Sequence, residues 1–336
     1  MKTLECASFF AGVGGIDLGF TSCNNENVNY HVIYANEIDS YPVKTYEMNF
    51  NLKVDHKDVK EVSSDPNQIP DFDVMIAGFP CQAFSIAGYR KGFDDEKGRG
   101  TLFFELVKII RDKHPKIVFL ENVKNLASHN KGDTLATILD ALKQEGYFFK
   151  QPQVLNAMDY GNIPQNRERI YIVAFSDKRL CDNFTYPQKI KLQRRITDVI
   201  DFEHRLNQKY YYTPSKYKGD IYEQLVEAMD DDQAIYQWRR KYVRKNKSGV
   251  IPTLTANMGM GGHNVPLIKT QYGIRKLTPH ECFNAQGFPE TFQLPSDVTE
   301  SRLYKQAGNS VCVTVIKRIA EQIAIAYDKT YPEETQ

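Results

Sequence analysis

The stretch "LECASFFAGVGGIDLGF" (4–20) joins an apolar run to a glycine-rich turn. The run is short and nearly uninterrupted, as is typical of a strand that is covered on both faces. Gly12, Gly14 and Gly15 then permit a tight turn and a close approach of the backbone to a ligand. The dinucleotide fingerprint is incomplete, because Asp17 stands where its third glycine would fall. Taken alone, a packed strand-to-helix turn explains the glycines equally well.

Further apolar runs follow along the chain, each rich in Val, Ile or Phe: 30–36, 72–78, 116–122 and 169–175. Amphipathic stretches separate them, and two of these place apolar residues at helical spacing, 101–114 and 133–146. Asp133 is the expected N-cap of the second helix, and Gly146 is its expected stop. Alternating strands and helices predict a parallel, doubly wound, Rossmann-like α/β sheet.

The alternation of strands and helices ends near residue 184. Aromatic and charged residues crowd together beyond it, and no clear alternation returns before about 273. A C-terminal helix is then predicted, with Val315, Ile319 and Ile323 on one stripe. We therefore predict a large α/β domain over 1–184, a smaller irregular domain over 185–272, and a segment over 273–336 that returns to the large domain.

The composition is that of a globular protein, with 41% hydrophobic and 25% charged residues among 336. The first residues lack a basic leader and no run is long enough for a membrane span, so we expect a cytoplasmic protein without membrane contact. The six cysteines share no CxxC spacing, which favours reduced thiols and no structural metal. A net charge of +1 means that any nucleic-acid site must concentrate its basic residues locally.

Acidic residues follow predicted strands where a nucleotide would need them. Glu37 comes about 20 residues after the glycines, where a carboxylate reaches ribose hydroxyls in such folds. Asp58 follows a further strand region and is placed to pair with the amino group of a base. Each acid alone is better explained as a solvated loop carboxylate. Together with the glycine turn they indicate an adenosine-containing ligand, and the lack of a lysine-bearing phosphate loop disfavours ATP.

"FDVMIAGFPCQAF" (72–84) places Cys81 directly after Pro80, where an apolar run ends. Glu121 ends the next run, and ligands of open α/β sheets bind at the carboxyl ends of the strands. The thiol and the carboxyl are therefore expected to meet near the adenosine site. Singly, an inert buried thiol and a loop-capping carboxylate are the simpler interpretations.

These groups together suit one reaction. A thiolate is a strong nucleophile, and a carboxyl kept protonated by burial donates to a ring nitrogen. A pyrimidine that is hydrogen-bonded at N3 accepts a nucleophile at C6, after which C5 takes a methyl group from a sulfonium. Arg167 and Arg169 are expected on one strand face, as two cations beside the site or as surface salt bridges. The set predicts methylation of cytosine at C5 by S-adenosyl-L-methionine, which leaves S-adenosyl-L-homocysteine.

Six ordered motifs resemble those of the DNA (cytosine-5) methyltransferases of bacterial restriction–modification systems: "FAGVGG", "GFPCQAFS", "ENV", "QNRERIY", "RKLTPHEC" and "GNSV". The resemblance runs from residue 9 to about 320, except over 185–250. It implies the AdoMet-dependent methyltransferase fold, with 185–272 as the target-recognition domain and double-stranded DNA as substrate. It also implies base flipping, a monomer, and a cognate restriction endonuclease that forms no stable complex with the enzyme.

The resemblance also implies roles for individual residues. Cys81 would be the nucleophile, positioned by Pro80, and Glu121 the partner of N3. Arg167 and Arg169 would hold the substrate and the catalytic loop. The cofactor site would comprise Phe10, Ala11, Gly12, Gly14, Gly15, Glu37, Ile38, Asp58, Val59 and Asn309. Two departures from several relatives bear on cofactor affinity, an aliphatic Ile38 in place of an aromatic residue and Lys57 in place of a frequent glycine.

The stretch "QAFSIAGYRKGFDDEKGRGT" (82–101) contains four glycines among polar residues. Loops of this kind close over substrates in many enzymes. Ser85, Arg90 and Arg99 would then contact phosphates or the space that the flipped base leaves. An ordinary surface loop is the alternative.

The segment "YQWRRKYVRKNKSG" (236–249) concentrates basic residues with aromatic ones. Arg239, Arg240 and Arg244 would bind phosphates or read guanine in the major groove. The alternative, which is common for charge runs, is a solvated face. Thr253 lies in the following glycine-containing stretch, which we also expect to face DNA.

Two other functions remain open at this point. An RNA (cytosine-5) methyltransferase acting on tRNA would share every catalytic motif, although a sizeable basic insertion favours duplex DNA. A regulator that binds nucleic acid on an inactive methyltransferase scaffold is opposed by the intact Cys81, Glu121 and cofactor glycines.

Overall fold

The computed structural model of the protein describes residues 1–80, 102–215, 220–239, 241–259 and 264–335. The chain forms two compact units. The first unit comprises Met1–Leu155, Glu168–Gln188 and Val315–Gln336. The second unit comprises Asn156–Arg167 and Lys189–Thr314. In the described part of the chain, no helix has both the length and the apolar character needed to cross a bilayer.

The first unit is built on a seven-stranded sheet, whose strands we number along the chain. They are β1 (Lys2–Phe9), β2 (Val28–Asn36), β3 (Val74–Ala77), β4 (Ile117–Val123), β5 (Phe148–Phe149), β6 (Gln153–Asn156) and β8 (Glu168–Phe175). Their order is β2-β1-β3-β4-β8-β5, with β6 beside β8. The five strands predicted from apolar runs are all confirmed, because each run is buried along most of its length.

The sheet is mixed, and the prediction of a wholly parallel sheet is wrong for its last large strand. β2, β1, β3 and β4 are parallel to one another. β8 is antiparallel to β4, and β5 is antiparallel to β8. The chain reaches β8 after β5, which runs opposite to it. β8 therefore enters the sheet at the edge where β4 ends, and no crossover helix is needed between β5 and β8.

Helices flank this sheet. They are α1 (Gly15–Thr21), α2 (Ser40–Asn49), α3 (Val59–Ser64), α4 (Leu102–Lys113), α5 (Asp133–Gln144), α7 (Lys178–Asn183), α11 (Val313–Thr330) and α12 (Pro332–Thr335), with 3-10 turns at Pro66–Gln68, Lys124–Ala127 and His129–Gly132. The predicted helices α4, α5 and α11 are confirmed. Asp133 is the first helical residue of α5 and not its N-cap, because the left-handed Gly132 occupies that position. Gly146, with φ +87°, follows the end of α5 as predicted.

The core of the first unit lies between the sheet and its helices. Met75 of β3 and Leu120 of β4 are completely buried together with Leu106 and Ile110 of α4. Such packing explains why β3 and the first four residues of β4 are apolar, whereas polar groups lie at the carboxyl edge of the sheet.

The second unit has a sheet of its own, in a region that the sequence analysis expected to be irregular. Its antiparallel order is β10-β9-β12-β13, formed by β9 (Tyr236–Trp238), β10 (Val243–Lys245), β12 (Pro266–Thr270) and β13 (Gly273–Lys276). A separate pair joins β7 (Gln165–Asn166) to β11 (Ile251–Pro252). These strands have two to five residues, too few for an alternating pattern to stand out in the sequence.

Short helices complete the second unit. They are α6 (Ala157–Tyr160), α8 (Ile221–Ala228), α9 (Pro279–Asn284) and α10 (Glu300–Asn309), with 3-10 turns at Ile196–Asp198, Gln208–Tyr210 and Ala256–Gly259. Leu225 of α8 packs with Tyr236, Trp238 and Leu267 of the sheet in a hydrophobic cluster. The boundaries predicted at residues 184 and 272 separate regions of different function. The division into compact units does not test such boundaries, so they stay a prediction.

Candidate active site and basic groove

The carboxyl ends of four strands meet at one edge of the first unit. Phe9 of β1 pairs with Asn36 of β2 and with Ala77 of β3, and Ala77 pairs with Leu120 of β4. The glycine turn after β1 therefore lies between Glu37, which follows β2, and the segment that leaves β3. Glu37, which follows Asn36, and Glu121, which follows Leu120, therefore lie at this same edge of the sheet.

The turn after β1 is tied to the end of β2. The backbone N–H of Ala11 donates to the carbonyl of Asn36 at 3.0 Å, and that of Gly12 donates to Oε2 of Glu37 at 2.9 Å. The other oxygen of Glu37, Oε1, accepts from the N–H of Asp39 at 2.8 Å. Burial raises the pKa of the Glu37 carboxyl, and the N–H groups of Asp39 and Gly12 oppose that rise. Glu37 is thus a fixed carboxylate beside the turn.

The backbone of the turn requires glycine at a defined position. Gly14 has φ +81° and is the N-cap of α1. A Cβ placed on it would lie 2.3 Å from Cε2 of Phe50 and 3.0 Å from Cε2 of Tyr46. Phe10, also in the turn, has a left-handed φ of +53°, which is uncommon for a residue with a side chain.

A buried carboxylate lies beneath this turn. Asp17 of α1 is completely buried and accepts from the hydroxyl of Ser8 at 2.9 Å and from that of Tyr46 at 2.8 Å. Burial raises its pKa to about 6, against the two hydroxyl hydrogen bonds. The residue that breaks the GxGxxG fingerprint therefore has a structural role, since it links β1, α1 and α2.

Four other predicted cofactor residues differ in which groups they can offer to a ligand. Ile38 is 60% exposed beside Glu37. Asp58 is the N-cap of α3, and its Oδ1 accepts from the N–H of Lys60 at 3.0 Å, so only Oδ2 is outside the cap. The side chain of Val59 belongs to the hydrophobic core, which leaves its backbone amide for a ligand. Asn309 is exposed at the end of α10 in the second unit, and its role stays a prediction.

Glu121 forms an ion pair at the end of β4. Nε of Arg169 on β8 lies 3.1 Å from Oε1 of Glu121, and both side chains are largely buried. Beyond Leu120, β4 pairs with β8 and no longer with β3, so the carboxylate lies beside the segment that leaves β3. A Cβ placed on Gly78 of that segment would be 3.6 Å from Oε2 of Glu121. The expectation that burial keeps the Glu121 carboxyl protonated stays a prediction.

Asn122 holds the segment that precedes the predicted nucleophile. It is buried, and its Nδ2 donates to the carbonyl of Phe79 at 2.8 Å while its Oδ1 accepts from the N–H of Val123 at 2.8 Å. The contact fixes the carbonyl that joins Phe79 to Pro80. The sequence analysis did not select Asn122, although a polar residue at the end of a buried apolar run was a usable signal. Cys81 lies outside the described residues.

Arg167 and Arg169 do not share a strand face, and that expectation is wrong. β8 begins at Glu168, and Arg167 belongs to the second unit while Arg169 belongs to the first. The buried guanidinium of Arg167 donates to the carbonyls of Leu254 at 2.7 Å and Gly308 at 3.0 Å, and to that of Ser310. Within the second unit, this arginine joins the segment after β11 to the C-terminal end of α10. A direct contact of Arg167 with substrate stays a prediction.

The second unit contains a polar groove of about 640 Å³. Three predicted DNA-binding residues lie together in its wall, namely Arg239, Arg244 and Thr253. The remaining described lining residues are Asn166, Gln237, Asn246, Ser248, Pro252, Thr255, Ala256, Asn257 and Asn264. The other predicted DNA contacts, Ser85, Arg90, Arg99 and Arg240, lie outside the described residues.

Comparison with known proteins agrees with this geometry. The type II methyltransferase M.Bsp6I of Bacillus sp. (strain RFL6) is 54% identical over 320 residues, covering 95% of this chain and 98% of that protein. The type II methyltransferase M.HhaI of Haemophilus parahaemolyticus is 37% identical over 338 residues, covering 95% and 94%.

Solved structures support the fold. A methyltransferase of Entamoeba histolytica, EhMeth, has a TM-score of 0.68 at 20% identity, covering 98% of this chain and 99% of that one. The Dnmt2 methyltransferase of S. pombe has a TM-score of 0.69 at 17% identity, covering 98% and 99%. The family described as C-5 cytosine-specific DNA methylase matches residues 4–324. The chain therefore belongs to the C-5 cytosine-specific DNA methylase family.

Proposed function

We propose that the protein methylates C5 of a defined cytosine in double-stranded DNA, with S-adenosyl-L-methionine as methyl donor, as the modification enzyme of a type II restriction–modification system. One observation carries the proposal. A glycine turn anchored by Glu37 and a carboxylate paired with Arg169 lie at the same edge of one sheet. β3, whose following segment is described as far as Pro80, lies between the two strands that carry them.

The residues of the first unit fit an adenosine-containing donor. Gly12 is left-handed, and among described atoms a Cβ placed on it would meet only the Phe10 carbonyl at 4.0 Å. Each Glu37 oxygen accepts one backbone N–H, so each retains a lone pair for a ribose hydroxyl. Ile38 offers an exposed apolar side chain to a base, and Asp58 offers Oδ2 to an amino group. When bound, S-adenosyl-L-methionine supplies an electrophilic methyl group on a sulfonium.

Cys81 starts the reaction by forming a bond from its thiolate sulfur to C6 of the cytosine. The C5–C6 π electrons move into the C4–C5 bond, the C4–N3 π electrons move onto N3, and N3 takes the proton of the Glu121 carboxyl. C5 becomes nucleophilic in this way and accepts the methyl group. Loss of the C5 proton to a base and departure of the Cys81 thiolate from C6 then restore the C5–C6 double bond, and N3 returns its proton to Glu121.

Arg169 would stabilise Glu121 as a carboxylate while its proton is on N3. An ion pair of this kind suits a general acid, because the charge of the acid changes during turnover. Asn122 would keep Pro80 and the preceding carbonyl in place while the sulfur bonds to C6.

The substrate is buried inside a duplex until it is extruded, at a cost of a few kcal/mol. The stretch 82–101 would cover the extruded base, and the groove of the second unit would contact the duplex. The enzyme would act as a monomer in the bacterial cytoplasm, with a cognate endonuclease as its functional counterpart and no stable complex between them.

The test measures transfer of labelled methyl groups from S-adenosyl-L-methionine to plasmid DNA and, in parallel, to tRNA. We expect labelled DNA, with 5-methylcytosine at one sequence context by bisulfite sequencing, and no labelled tRNA. Cys81→Ser should abolish transfer and retain binding. A duplex with 5-fluorocytosine at the mapped position should trap the wild-type chain covalently through Cys81. Labelled tRNA with unlabelled DNA, or full activity of Cys81→Ser, would overturn the proposal.

A further inference from the structure

We propose that Arg239 reads a guanine of the recognition sequence, that Asn264 positions its guanidinium, and that Arg244 instead contacts the phosphate backbone. This inference rests on the proposed function, because it names how the second unit selects its DNA. The two arginines line the same groove but differ in how the protein holds them.

The groove has the chemistry of a base-reading surface. Its described lining contains two guanidinium groups, five side-chain amides and three hydroxyls, and no carboxylate. Arginine pairs with guanine O6 and N7, while asparagine and glutamine pair with adenine N6 and N7. An acidic wall would repel phosphates, so the lack of carboxylates among the described lining residues suits a duplex.

Arg239 is anchored within this groove. Its Nη1 donates to Oδ1 of Asn264 at 3.0 Å, and its backbone N–H donates to the carbonyl of Tyr242 at 2.9 Å. One of the five guanidinium N–H groups is thereby used, and the remaining donors can form a bidentate pair. A side chain that is already oriented loses less conformational entropy on binding, which favours a specific contact over a diffuse one.

Asn264 holds one side chain of β9 and the side chain of the residue that follows β9. It adopts a left-handed conformation with φ +69°, which asparagine tolerates better than most residues. Its side chain accepts from Arg239, and its backbone carbonyl accepts from Nε2 of Gln237 at 3.1 Å. Gln237 and Arg239 are two residues apart, so they lie on one face of the extended chain. Asn264 therefore orients two groove-lining side chains at once.

Arg244 lacks such an anchor. It lies exposed on β10, and within the described part of the chain no hydrogen bond or ion pair engages its guanidinium. The next residue shows the contrast, because Nζ of Lys245 is held by Asp230 at 3.0 Å and by Asp231 at 3.1 Å. A long, unrestrained cation suits a phosphate, which needs charge more than fixed geometry.

The test uses the whole protein and begins by mapping the methylated sequence of the wild type. The wild type is then compared with Arg239→Ala, Asn264→Ala and Arg244→Ala, and with Arg205→Ala as a control for an exposed arginine outside the groove. Substrates are duplexes in which each guanine of the mapped site is replaced in turn. Methylation rates and binding by competition are both measured, over a range of salt concentrations.

We expect Arg239→Ala to lose roughly tenfold to hundredfold of the discrimination at one guanine position. Asn264→Ala should reduce discrimination at that same position by less. Arg244→Ala should weaken binding to all duplexes alike and lower the salt slope by about one, with the base preference retained. Arg205→Ala should behave as the wild type.

Unchanged base preference in Arg239→Ala would overturn the inference, as would relaxed preference in Arg244→Ala. If a variant methylates too slowly to be measured, competition binding still gives its base preference. Compared with Arg239→Ala, Arg239→Lys should restore affinity without restoring discrimination. If the wild type methylates no DNA, the proposed function fails. The assignment of the two arginines is then tested by competition binding to a duplex selected for tight binding from random sequences, with each of its guanines replaced in turn.

Discussion

The backbone N–H of Gly12 donates to Oε2 of Glu37 at 2.9 Å, which joins the glycine turn after β1 to the end of β2. The bond places a half-buried carboxylate where the proposed cofactor needs an acceptor for its ribose. The turn and the acceptor are therefore one unit, and a change in Glu37 affects both.

Glu37→Gln should raise KM for S-adenosyl-L-methionine about tenfold, with kcat nearly unchanged. A hydrogen bond to a charged group contributes about 1.5–3 kcal/mol, and binding that is equal in ground and transition states affects KM alone. Steady-state kinetics check the split. Glu26→Gln, an exposed acid of the same unit, is the control. A loss of kcat at unchanged KM would assign Glu37 to the chemistry instead.

Gly14→Ala should destabilise the protein by about 1–3 kcal/mol more than Gly146→Ala does, because overpacking a filled site has a cost of that size. Both glycines have left-handed φ values, +81° and +87°. A Cβ on Gly14 would meet the Phe50 ring at 2.3 Å, while among described atoms nothing lies within 4 Å of one on Gly146. The pair separates steric conflict from backbone strain. Urea unfolding measures both, and equal losses would show that Phe50 moves aside freely.

The buried Asp17 should make stability depend on pH in mildly acidic solution. Its pKa is raised from 3.8 to about 6, so the folded state holds the proton more tightly than the unfolded state. The stabilisation is complete below the unfolded value and is lost as pH rises through the folded value. Relative to Asp17→Asn, the wild type should lose up to about 3 kcal/mol of unfolding free energy between pH 4 and 7. A flat difference in urea unfolding over that range would contradict the burial of a titrating carboxyl.

Asn122→Ala should lower kcat by up to roughly 100-fold, because displacement of a reacting group by about 1 Å has effects of that size. The variant removes the donor that fixes the Phe79 carbonyl next to Pro80. Asn122→Asp keeps an acceptor for the N–H of Val123 and loses the donor, so it should be equally slow. Single-turnover methylation measures the chemical step, with the exposed Asn125→Ala as control. Normal rates in both Asn122 variants would remove it from the positioning of Pro80.

The strands of the first unit could be predicted because burial on both faces makes each of them a continuous apolar run. The direction of a strand relative to its neighbour in the sheet could not be predicted in this way. The antiparallel direction of β8 follows from how the chain returns after β5, and no local pattern encodes it. For the same reason the spacing of Arg167 and Arg169 suggested one strand face, although the two residues belong to separate compact units.

The sequence was enough to predict which polar residues belong to the site. It was not enough to predict which groups these residues contact. Glu37 and Glu121 stand out because they end apolar runs. That Glu121 pairs with Arg169 depends on the register between β4 and β8, in which Val123 faces Arg169. Asn264 gave no sequence signal, because its role depends on a left-handed conformation opposite β9.

Arg275 and Glu281, both in the motif "RKLTPHEC", form a buried bidentate ion pair in the second unit. Nη1 of Arg275 lies 2.8 Å from Oε2 of Glu281, and Nη2 lies 2.7 Å from Oε1. Arg275→Met should lower the free energy of unfolding by about 3–5 kcal/mol, because it leaves a buried carboxylate without its counter-ion.

The double variant Arg275→Met with Glu281→Leu should recover part of that loss, since no buried charge then remains uncompensated. Recovery will be incomplete, because Glu281 also accepts from the N–H groups of Thr278 at 2.7 Å and Asp201 at 2.9 Å. Urea unfolding of the wild type, both single variants and the double variant gives the coupling energy directly. Additive losses would mean that Arg275 and Glu281 each stabilise the protein through contacts with other groups. The stability of the second unit would then depend on its loops and not on this ion pair.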